Sequence, residues 1–254
     1  MAINSKIEWT GSTWNPITGC NKISEGCQNC YAARLAVRLQ KMGNVKYANG
    51  FKLTLHEDCL TEPYSWKKPA LIFVNSMSDL FHTDVPLEYI ERIFDVMNNN
   101  RHHVFQVLTK RAERLESIAS RLNWSDNIWL GVTVENDRHK DRIDCLRNTS
   151  AKTKFISFEP LISDVGIVDL HEIHWAIIGG ESGWGARPMH EPWVINIKNQ
   201  CEQQGVLFYF KQWGGVNRRK TGRTLLGRTW SDTPKFDSTK EEVKSLNPMR
   251  TKHA

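Results

Sequence analysis

Three cysteines within one short segment are the feature of this sequence that most directly indicates chemistry. Cys20, Cys27 and Cys30 have the spacing C-x6-C-x2-C, with no histidine between them. A structural zinc site usually takes four protein ligands. Three cysteine thiolates suit a [4Fe–4S] cluster in which one iron has no protein ligand. A small molecule can bind and react at such an iron, so the spacing favours a functional iron–sulfur centre.

Two other readings of the cysteines stay open at this stage. A structural zinc ion could take a distant fourth ligand, from Cys59, Cys145, Cys201 or a histidine. A disulfide with one free thiol is less favoured, because residues 1–6 lack the apolar stretch of a secretion signal and we expect a cytoplasmic, reducing location. The three isolated cysteines are most simply buried thiols.

Length and composition predict a globular protein with a substantial core. The chain has 254 residues, of which 40% are hydrophobic, which fits one large α/β domain. No apolar run approaches the roughly 20 residues of a membrane helix, so we expect no membrane partner. The net charge of +6 favours a polyanionic partner.

Apolar runs alternate with helical patterns along the chain. The runs fit strands buried on both faces, and they cover residues 71–74, 104–108, 128–132, 154–158, 175–178 and 206–210. Residues 87–98, 113–122 and 193–204 show helical spacing. With a further strand around residues 14–18, this order predicts a partial or complete TIM-like β/α barrel of parallel strands over residues 1–215, followed by a basic C-terminal extension over residues 216–254. An open doubly wound sheet is the structural alternative.

Polar residues follow nearly every predicted strand. They occupy residues 75–79, 109–111, 133–136, 159–160, 179–183 and 211–213. In β/α barrels the reactive residues lie at the C-terminal ends of the strands. The recurrence of polar residues at this one structural position favours a barrel with an active site over an open sheet.

These motifs together resemble a known family. The matching segments are WNPITGC (14–20), GCQNCYA (26–32), SDLF (78–81), LTKR (108–111), GVTVEN (131–136), SFEPL (157–161), GGESG (179–183) and FKQWG (210–214). The sequence resembles the radical S-adenosylmethionine (SAM) superfamily and, more closely, the three-cysteine-motif proteins of phages and prophages. It departs from the common C-x3-C-x2-C triad in its longer first gap, and Asn29 stands where an aromatic residue is usual.

The resemblance implies an enzyme that holds a [4Fe–4S] cluster and SAM and generates a 5′-deoxyadenosyl radical to modify or repair a substrate. It implies the cluster on Cys20, Cys27 and Cys30, and an electron donor such as flavodoxin or ferredoxin. The candidate SAM-binding residues are Ser76 and Asp79 for the ammonium group and Lys110 or Arg111 for the carboxylate. Glu135 and Asn136, or Glu159, are the candidates for the ribose, and Gly179 and Gly180 lie beside the adenine. Thr133 and Glu181 also belong to this set. The candidate catalytic residues are Lys211, Trp213 and Tyr31.

The C-terminal extension begins with a basic segment. Residues 214–230 hold Arg218, Arg219, Lys220, Arg223 and Arg228 and no acidic residue. A basic segment that follows Trp213 suits a nucleic-acid substrate, DNA or RNA, with the tryptophan stacking on a base. A terminal extension without a role in binding is the alternative interpretation of this segment. A zinc-bearing nucleic-acid-binding module without catalysis and an iron–sulfur electron-transfer or sensor protein remain the alternatives to a radical SAM enzyme.

Overall fold

The computed structural model describes residues 2–3, 5 and 7–236, with the backbone alone at residues 2, 3, 218 and 219. The strands are β1 (Ala2–Ile3), β2 (Ser12–Trp14), β3 (Ile17–Thr18), β4 (Thr54–Leu55), β5 (Leu71–Val74), β6 (Val104–Thr109), β7 (Ile128–Thr133), β8 (Thr153–Phe158), β9 (Trp175–Gly179) and β10 (Leu207–Gln212). The α-helices are α1 (Tyr31–Lys41), α2 (Leu87–Asn99), α3 (Ala112–Ile118), α4 (Asp141–Arg147), α5 (Glu191–Gln203) and α6 (Arg218–Thr221). Short 3-10 helices cover Glu25–Cys27, Val45–Tyr47, Glu57–Cys59, Glu62–Ser65, Ala119–Arg121 and Asp137–His139.

One mixed sheet forms the centre of the fold, in the order β1-β2-β5-β6-β7-β8-β9-β10. Only β1 is antiparallel to its neighbour, and the other seven strands are parallel and curl into a half-barrel. A closed β/α barrel has eight parallel strands, and no described strand joins β10 back to β2. The predicted barrel is therefore partial. The strand expected around residues 14–18 is split, because β3 pairs with β4 in a separate two-stranded sheet.

The two faces of the half-barrel carry different side chains, because strand residues two apart share a face. Ile156 and Phe158 of β8 pack with the helices in the main core, whereas Phe155 faces the concave side. There it joins a layer of buried side chains: Trp9, Phe73, Val104, Trp129, Trp175, Ile177 and Tyr209. The residues that continue this concave face toward the C-terminal strand ends are small or polar, as with Ser157 and Glu159 after Phe155. Space for a ligand is thus left at that end.

The three predicted helices are confirmed as α2, α3 and α5. Pro86 directly precedes α2 and Pro192 lies in the first turn of α5, where a missing N–H costs little. The sequence interpretation did not include α1, which buries only Ala32 and Ala36 among its side chains. Of the helices that the structure describes, none is long and apolar enough for a membrane crossing.

The start of the C-terminal extension packs against the sheet. Leu225 is buried in the main core, and Trp230 packs against the same cluster. The N–H of Phe210 in β10 donates to the carbonyl of Trp230 at 3.1 Å, and Ser231 forms a β-bridge with Tyr209. Residues 237–254 of the predicted extension lie outside the described residues.

Candidate functional site

A cavity of ≈ 700 Å³ lies at the C-terminal ends of the parallel strands, where the sequence analysis expected the site. Its walls come from the cysteine loop and from the residues that follow five strands. The predicted site residues that line it are Cys20, Cys27, Cys30, Tyr31, Ser76, Asp79, Lys110, Arg111, Thr133, Glu159, Gly180, Glu181 and Lys211. Glu135, Asn136, Gly179 and Trp213 are not among its lining residues.

The cysteine loop connects β3 to α1. Cys27 ends a single 3-10 turn, in which its N–H donates to the carbonyl of Ser24 at 3.0 Å. Cys30 directly precedes α1, and its N–H donates to the carbonyl of Cys27 at 3.3 Å. All six cysteines of the chain are free thiols, and the three in this loop are partly exposed to the cavity.

The cysteine loop supplies three sulfur donors, the ligand type that iron–sulfur clusters use. Burial and the nearby Asp79 carboxylate raise the pKa of the Cys20 thiol to about 11. The Arg111 guanidinium acts in the opposite direction, with Nη2 3.6 Å from the Cys20 Sγ. Three cysteine side chains therefore line one cavity, and burial outweighs the effect of Arg111 on the pKa of Cys20. Among the described side chains, no group of three or more His, Cys, Asp or Glu is arranged around a single metal ion.

Glu135, which follows β7, is completely buried beneath the cysteine loop. Its carboxylate lies 2.7 Å from Nη1 of Arg142 and 3.1 Å from Nζ of Lys110, and it accepts a hydrogen bond from the Ser24 hydroxyl. Burial alone would raise the pKa of Glu135, but the two cations hold it below its usual value. A Cβ on Gly26 would lie 2.5 Å from the Glu135 Cγ. Glu135 therefore positions the loop rather than facing the cavity.

Glu181, which follows β9, makes a second connection to the cysteine loop. Its Oε2 accepts from Nδ2 of Asn29 and from Nε of Arg187, both at 2.9 Å. Nη2 of Arg187 also donates to the carbonyl of Glu25 at 2.9 Å. Burial would raise the pKa of Glu181, but the hydrogen bonds from Arg187 and Asn29 hold it below its usual value. Two buried carboxylates thus join opposite sides of the cysteine loop to two strand ends.

Asp79 connects the ends of β5 and β6. Its Oδ1 accepts from the N–H of Phe81 at 3.0 Å and from Oγ1 of Thr109 at 2.7 Å, and its Oδ2 accepts from the N–H of Lys110 at 3.1 Å. The Arg111 Nε lies 3.9 Å from the same Oδ2. Asp79 faces the cavity while already accepting three protein hydrogen bonds.

Four further predicted residues lie in the cavity wall. Nζ of Lys211 lies 2.7 Å from Oε1 of Glu159, and both side chains are largely buried. The Tyr31 hydroxyl donates to the carbonyl of Ser76 at 2.5 Å, and the Ser76 hydroxyl donates to Oδ1 of Asn15 at 3.1 Å. The structure therefore brings Tyr31, Ser76 and the Glu159–Lys211 pair together at the cavity.

The glycines after β9 serve close packing. A Cβ on Gly180 would lie 2.1 Å from the carbonyl oxygen of Trp213, so the loops after β9 and β10 contact each other through their main chains. A Cβ on Gly179 would lie 2.9 Å from the Glu159 Cδ.

Asn136 caps the 3-10 turn that follows it, because its Oδ1 accepts a hydrogen bond from the N–H of Arg138 at 3.1 Å.

Trp213 and the described cations of the basic segment do not line the cavity, whereas Gly215 and Val216 of the same segment do. Nε1 of Trp213 donates to the carbonyl of Thr224 at 2.9 Å, and its ring packs edge-on against Phe210. Arg223 donates to Oγ of Ser231 at 2.7 Å, and the Arg228 guanidinium lies 3.5 Å from the centre of the Trp230 ring. The side chains of Arg218 and Arg219 lie outside the described part of the structure, and Lys220 is exposed.

The partners that hold the site together were not predicted from the sequence. Ser24, Asn29, Arg142 and Arg187 were not among the predicted site residues. Each contacts a buried carboxylate that is distant from it in the chain or lies on a different element. One local signal was available, because Ser24 and Asn29 lie between or beside the cysteines of the motif.

Residues 4–234 match the protein family described as "Protein of unknown function (DUF5131)". The chain belongs to this family. The matched range contains the cysteine loop, all seven parallel strands and Trp230, so the whole site lies inside the DUF5131 region. No curated protein and no solved structure gives a significant match to the chain.

Proposed function

We propose that this DUF5131 protein is an iron–sulfur enzyme of the radical SAM type. One observation carries the proposal: three thiols of a single loop line a cavity of ≈ 700 Å³, together with polar side chains from the ends of parallel strands. A cavity of this size suits a cofactor-sized ligand, and parallel β/α sheets bind ligands at this end.

In this proposal Cys20, Cys27 and Cys30 hold a [4Fe–4S] cluster, and SAM binds beside it. The bound pair would supply an electron from the cluster and a 5′-deoxyadenosyl radical from SAM. Ser76, Lys110 and the Glu159–Lys211 pair face the cavity and could bind the polar groups of SAM.

The remaining predicted residues take supporting roles. Asp79, Glu135 and Glu181 position the loops around the cavity, because their oxygens already accept several protein hydrogen bonds. Tyr31 lies at the cavity, where it can limit water access or contact the substrate. We place the enzyme in the cytoplasm, where its cysteines stay reduced and a flavodoxin or ferredoxin can supply electrons.

The test is anaerobic reconstitution with iron and sulfide, followed by reduction and addition of SAM. We expect about four irons per chain, a cluster absorption band, and formation of 5′-deoxyadenosine and methionine. Cys20→Ala, Cys27→Ala and Cys30→Ala should each abolish cluster loading. Cys145→Ala is the matched control and should load normally, because Cys145 packs near α3, away from the cavity.

Metal analysis of the same samples separates this proposal from the zinc-bearing binding module. Stoichiometric zinc with negligible iron in anaerobically purified protein would contradict the proposed function. A loaded cluster that binds no SAM in calorimetry would instead identify an electron-transfer or sensor protein.

A further inference from the structure

Trp184 is an exposed tryptophan at the rim of the cavity. Its side chain is 81% exposed, although apolar surface of this size is costly to leave in water. It stands between Gly183 and Gly185, which have φ angles of 98° and 74°. These left-handed conformations favour glycine. They allow the chain to turn sharply on both sides of the indole, and Gly183 itself lines the cavity.

The loop that carries Trp184 is held in place by its neighbours. The N–H of Gly183 donates to the carbonyl of Gly215 at 3.0 Å, and the N–H of Ala186 donates to the carbonyl of Gly183 at 3.1 Å. On the other side, Nδ2 of Asn29 donates to the carbonyl of Gly185 at 2.9 Å. Three hydrogen bonds therefore hold the backbone that carries the exposed ring.

Three segments around Trp184 contain no acidic residue, although Glu25, Glu181 and Glu191 directly adjoin them. We define the acid-free rim as residues 26–41, 182–190 and 213–231, which together contain nine Lys and Arg residues and no Asp or Glu. The remainder of the chain holds all 28 acidic residues and carries a net negative charge. The three segments contact one another through Asn29 with Gly185 and Gly183 with Gly215. These three segments therefore carry an excess of cations, of which Arg187 is paired with Glu181.

Arg34 brings one of these cations close to the tryptophan loop. Its Nη1 lies 3.0 Å from the position that a Cβ on Gly183 would occupy, and its Nη2 donates to Oδ1 of Asn29 at 3.0 Å. Arg38 follows one turn later on α1 and is exposed. A guanidinium near an exposed indole provides a phosphate contact beside a stacking surface.

We propose that the acid-free rim binds single-stranded nucleic acid and that Trp184 stacks on an unpaired base at the cavity mouth. Cations that contact phosphates and an aromatic ring that stacks on a base are the two elements of single-strand recognition. A duplex hides the faces of its bases, so a stacking tryptophan selects single strands. This inference deepens the proposed function by naming its substrate class. It replaces Trp213 by Trp184 as the stacking residue, because the Trp213 ring is partly buried against the core and packs on Phe210.

The test measures binding of a fluorescent single-stranded oligonucleotide of about 16 nucleotides. DNA, RNA and the matching duplexes are titrated with protein as purified anaerobically, without SAM or reductant. We expect Trp184→Ala to weaken single-strand binding by about 5- to 150-fold. Trp184→Phe should keep much of the affinity, because a ring remains. The control Ile167→Ala removes an equally exposed apolar side chain outside the rim and should bind as the native chain does.

A second arm tests the phosphate contacts. Replacing both Arg34 and Arg38 by Gln should weaken binding, and it should flatten the dependence of log Kd on log salt by about 1.4 for a single strand. Replacing Lys67 and Lys68 by Gln removes two charges before β5, at the other end of the sheet, and should leave the slope unchanged.

Three outcomes would overturn the inference: no binding at about 50 mM salt, equal affinity of Trp184→Ala and the native chain, or equal salt slopes for the two charge variants. Because the assay needs neither SAM nor turnover, these outcomes leave the iron–sulfur proposal standing. Conversely, a failure to load iron leaves the binding result intact.

Discussion

The hydroxyl of Ser24 donates a hydrogen bond to the buried carboxylate of Glu135 across a sequence separation of 111 residues. Ser24 belongs to the cysteine loop, and Glu135 follows β7. Lys110 and Arg142 contact the same carboxylate, so one buried charge connects the loop, the end of β6 and α4. The position of the cysteines therefore depends on a residue that itself lies outside the cavity.

Removing this carboxylate should destabilise the protein strongly. Glu135→Ala leaves Lys110 and Arg142 without their shared partner in a buried site, and we expect the free energy of unfolding to fall by about 3–5 kcal/mol. Urea denaturation followed by circular dichroism measures the change. The control Asp126→Ala breaks an ion pair with Lys152 in which both side chains are exposed, and it should cost no more than about 1 kcal/mol. Equal stabilities of the two variants would contradict this role for Glu135.

Gly26 should tolerate no side chain. A Cβ at this position would lie 2.5 Å from the Glu135 Cγ, so Gly26→Ala must displace either the carboxylate or the cysteine loop. We expect a loss of about 1–3 kcal/mol in unfolding free energy together with reduced iron loading. In the control Gly11→Ala, the nearest atom to the new Cβ is the Leu71 carbonyl oxygen at 3.5 Å, an ordinary contact. Similar effects in both variants would argue against steric conflict at Gly26.

Asp79 should contribute to stability as well as to the cavity. Asp79→Ala removes acceptors from the Thr109 hydroxyl and from two backbone N–H groups, which costs about 1–3 kcal/mol for each donor left buried without a partner. Thermal unfolding should show a clearly lower midpoint. Asp84 offers a control on the same loop, since its side chain is 76% exposed. An unchanged midpoint for Asp79→Ala would contradict this contribution of Asp79 to stability.

Acid should destabilise the fold through His103. Burial, reinforced by the His102 ring 3.9 Å away, lowers the pKa of His103 from 6.5 to about 4. Between these values the unfolded chain binds a proton that the folded chain does not bind. Above pH 6.5 the titration of His103 therefore does not affect stability. As the pH falls from 6.5 toward 4, the free energy of unfolding decreases.

The corresponding experiment compares unfolding free energies at several pH values between 4.5 and 7, in the range set by this pKa shift. One group changes the free energy by at most about 1.4 kcal/mol per pH unit. His103→Phe should flatten the dependence by removing the titrating ring, while a Gln at the exposed His171 should leave it as it is. A slope that persists in His103→Phe would assign the acid sensitivity to other groups.

Local patterns in the sequence were sufficient to predict the scaffold. Near-continuous apolar runs predict β5 to β10, because strands covered on both faces need apolar side chains at almost every position. The polar residues after those strands meet at one cavity, because parallel strands place their C-terminal ends together. The cysteine motif likewise predicts its own position at this cavity.

The roles of individual polar residues could not be predicted in this way. Glu135 was expected to bind a ribose, but its partners Ser24 and Arg142 reach it from other elements, and no local pattern encodes such contacts. Trp213 was expected at the mouth, but the fold of the following segment brings Thr224 to its indole N–H. The tryptophan that does stand at the rim, Trp184, lies in a short Gly-Trp-Gly sequence that has no periodic signal.

The contact between β10 and residues 230–231 also affects self-assembly. The last strand of an open sheet offers unpaired N–H and C=O groups to which strands of other molecules can add. Here the carbonyl of Trp230 accepts a hydrogen bond from the N–H of Phe210, and Ser231 forms a β-bridge with Tyr209. The molecule thus covers part of the β10 edge with its own chain. A chain cut at residue 215 would lose that cover and gain a template for intermolecular pairing. The C-terminal segment therefore helps to keep each half-barrel separate from its copies at high concentration.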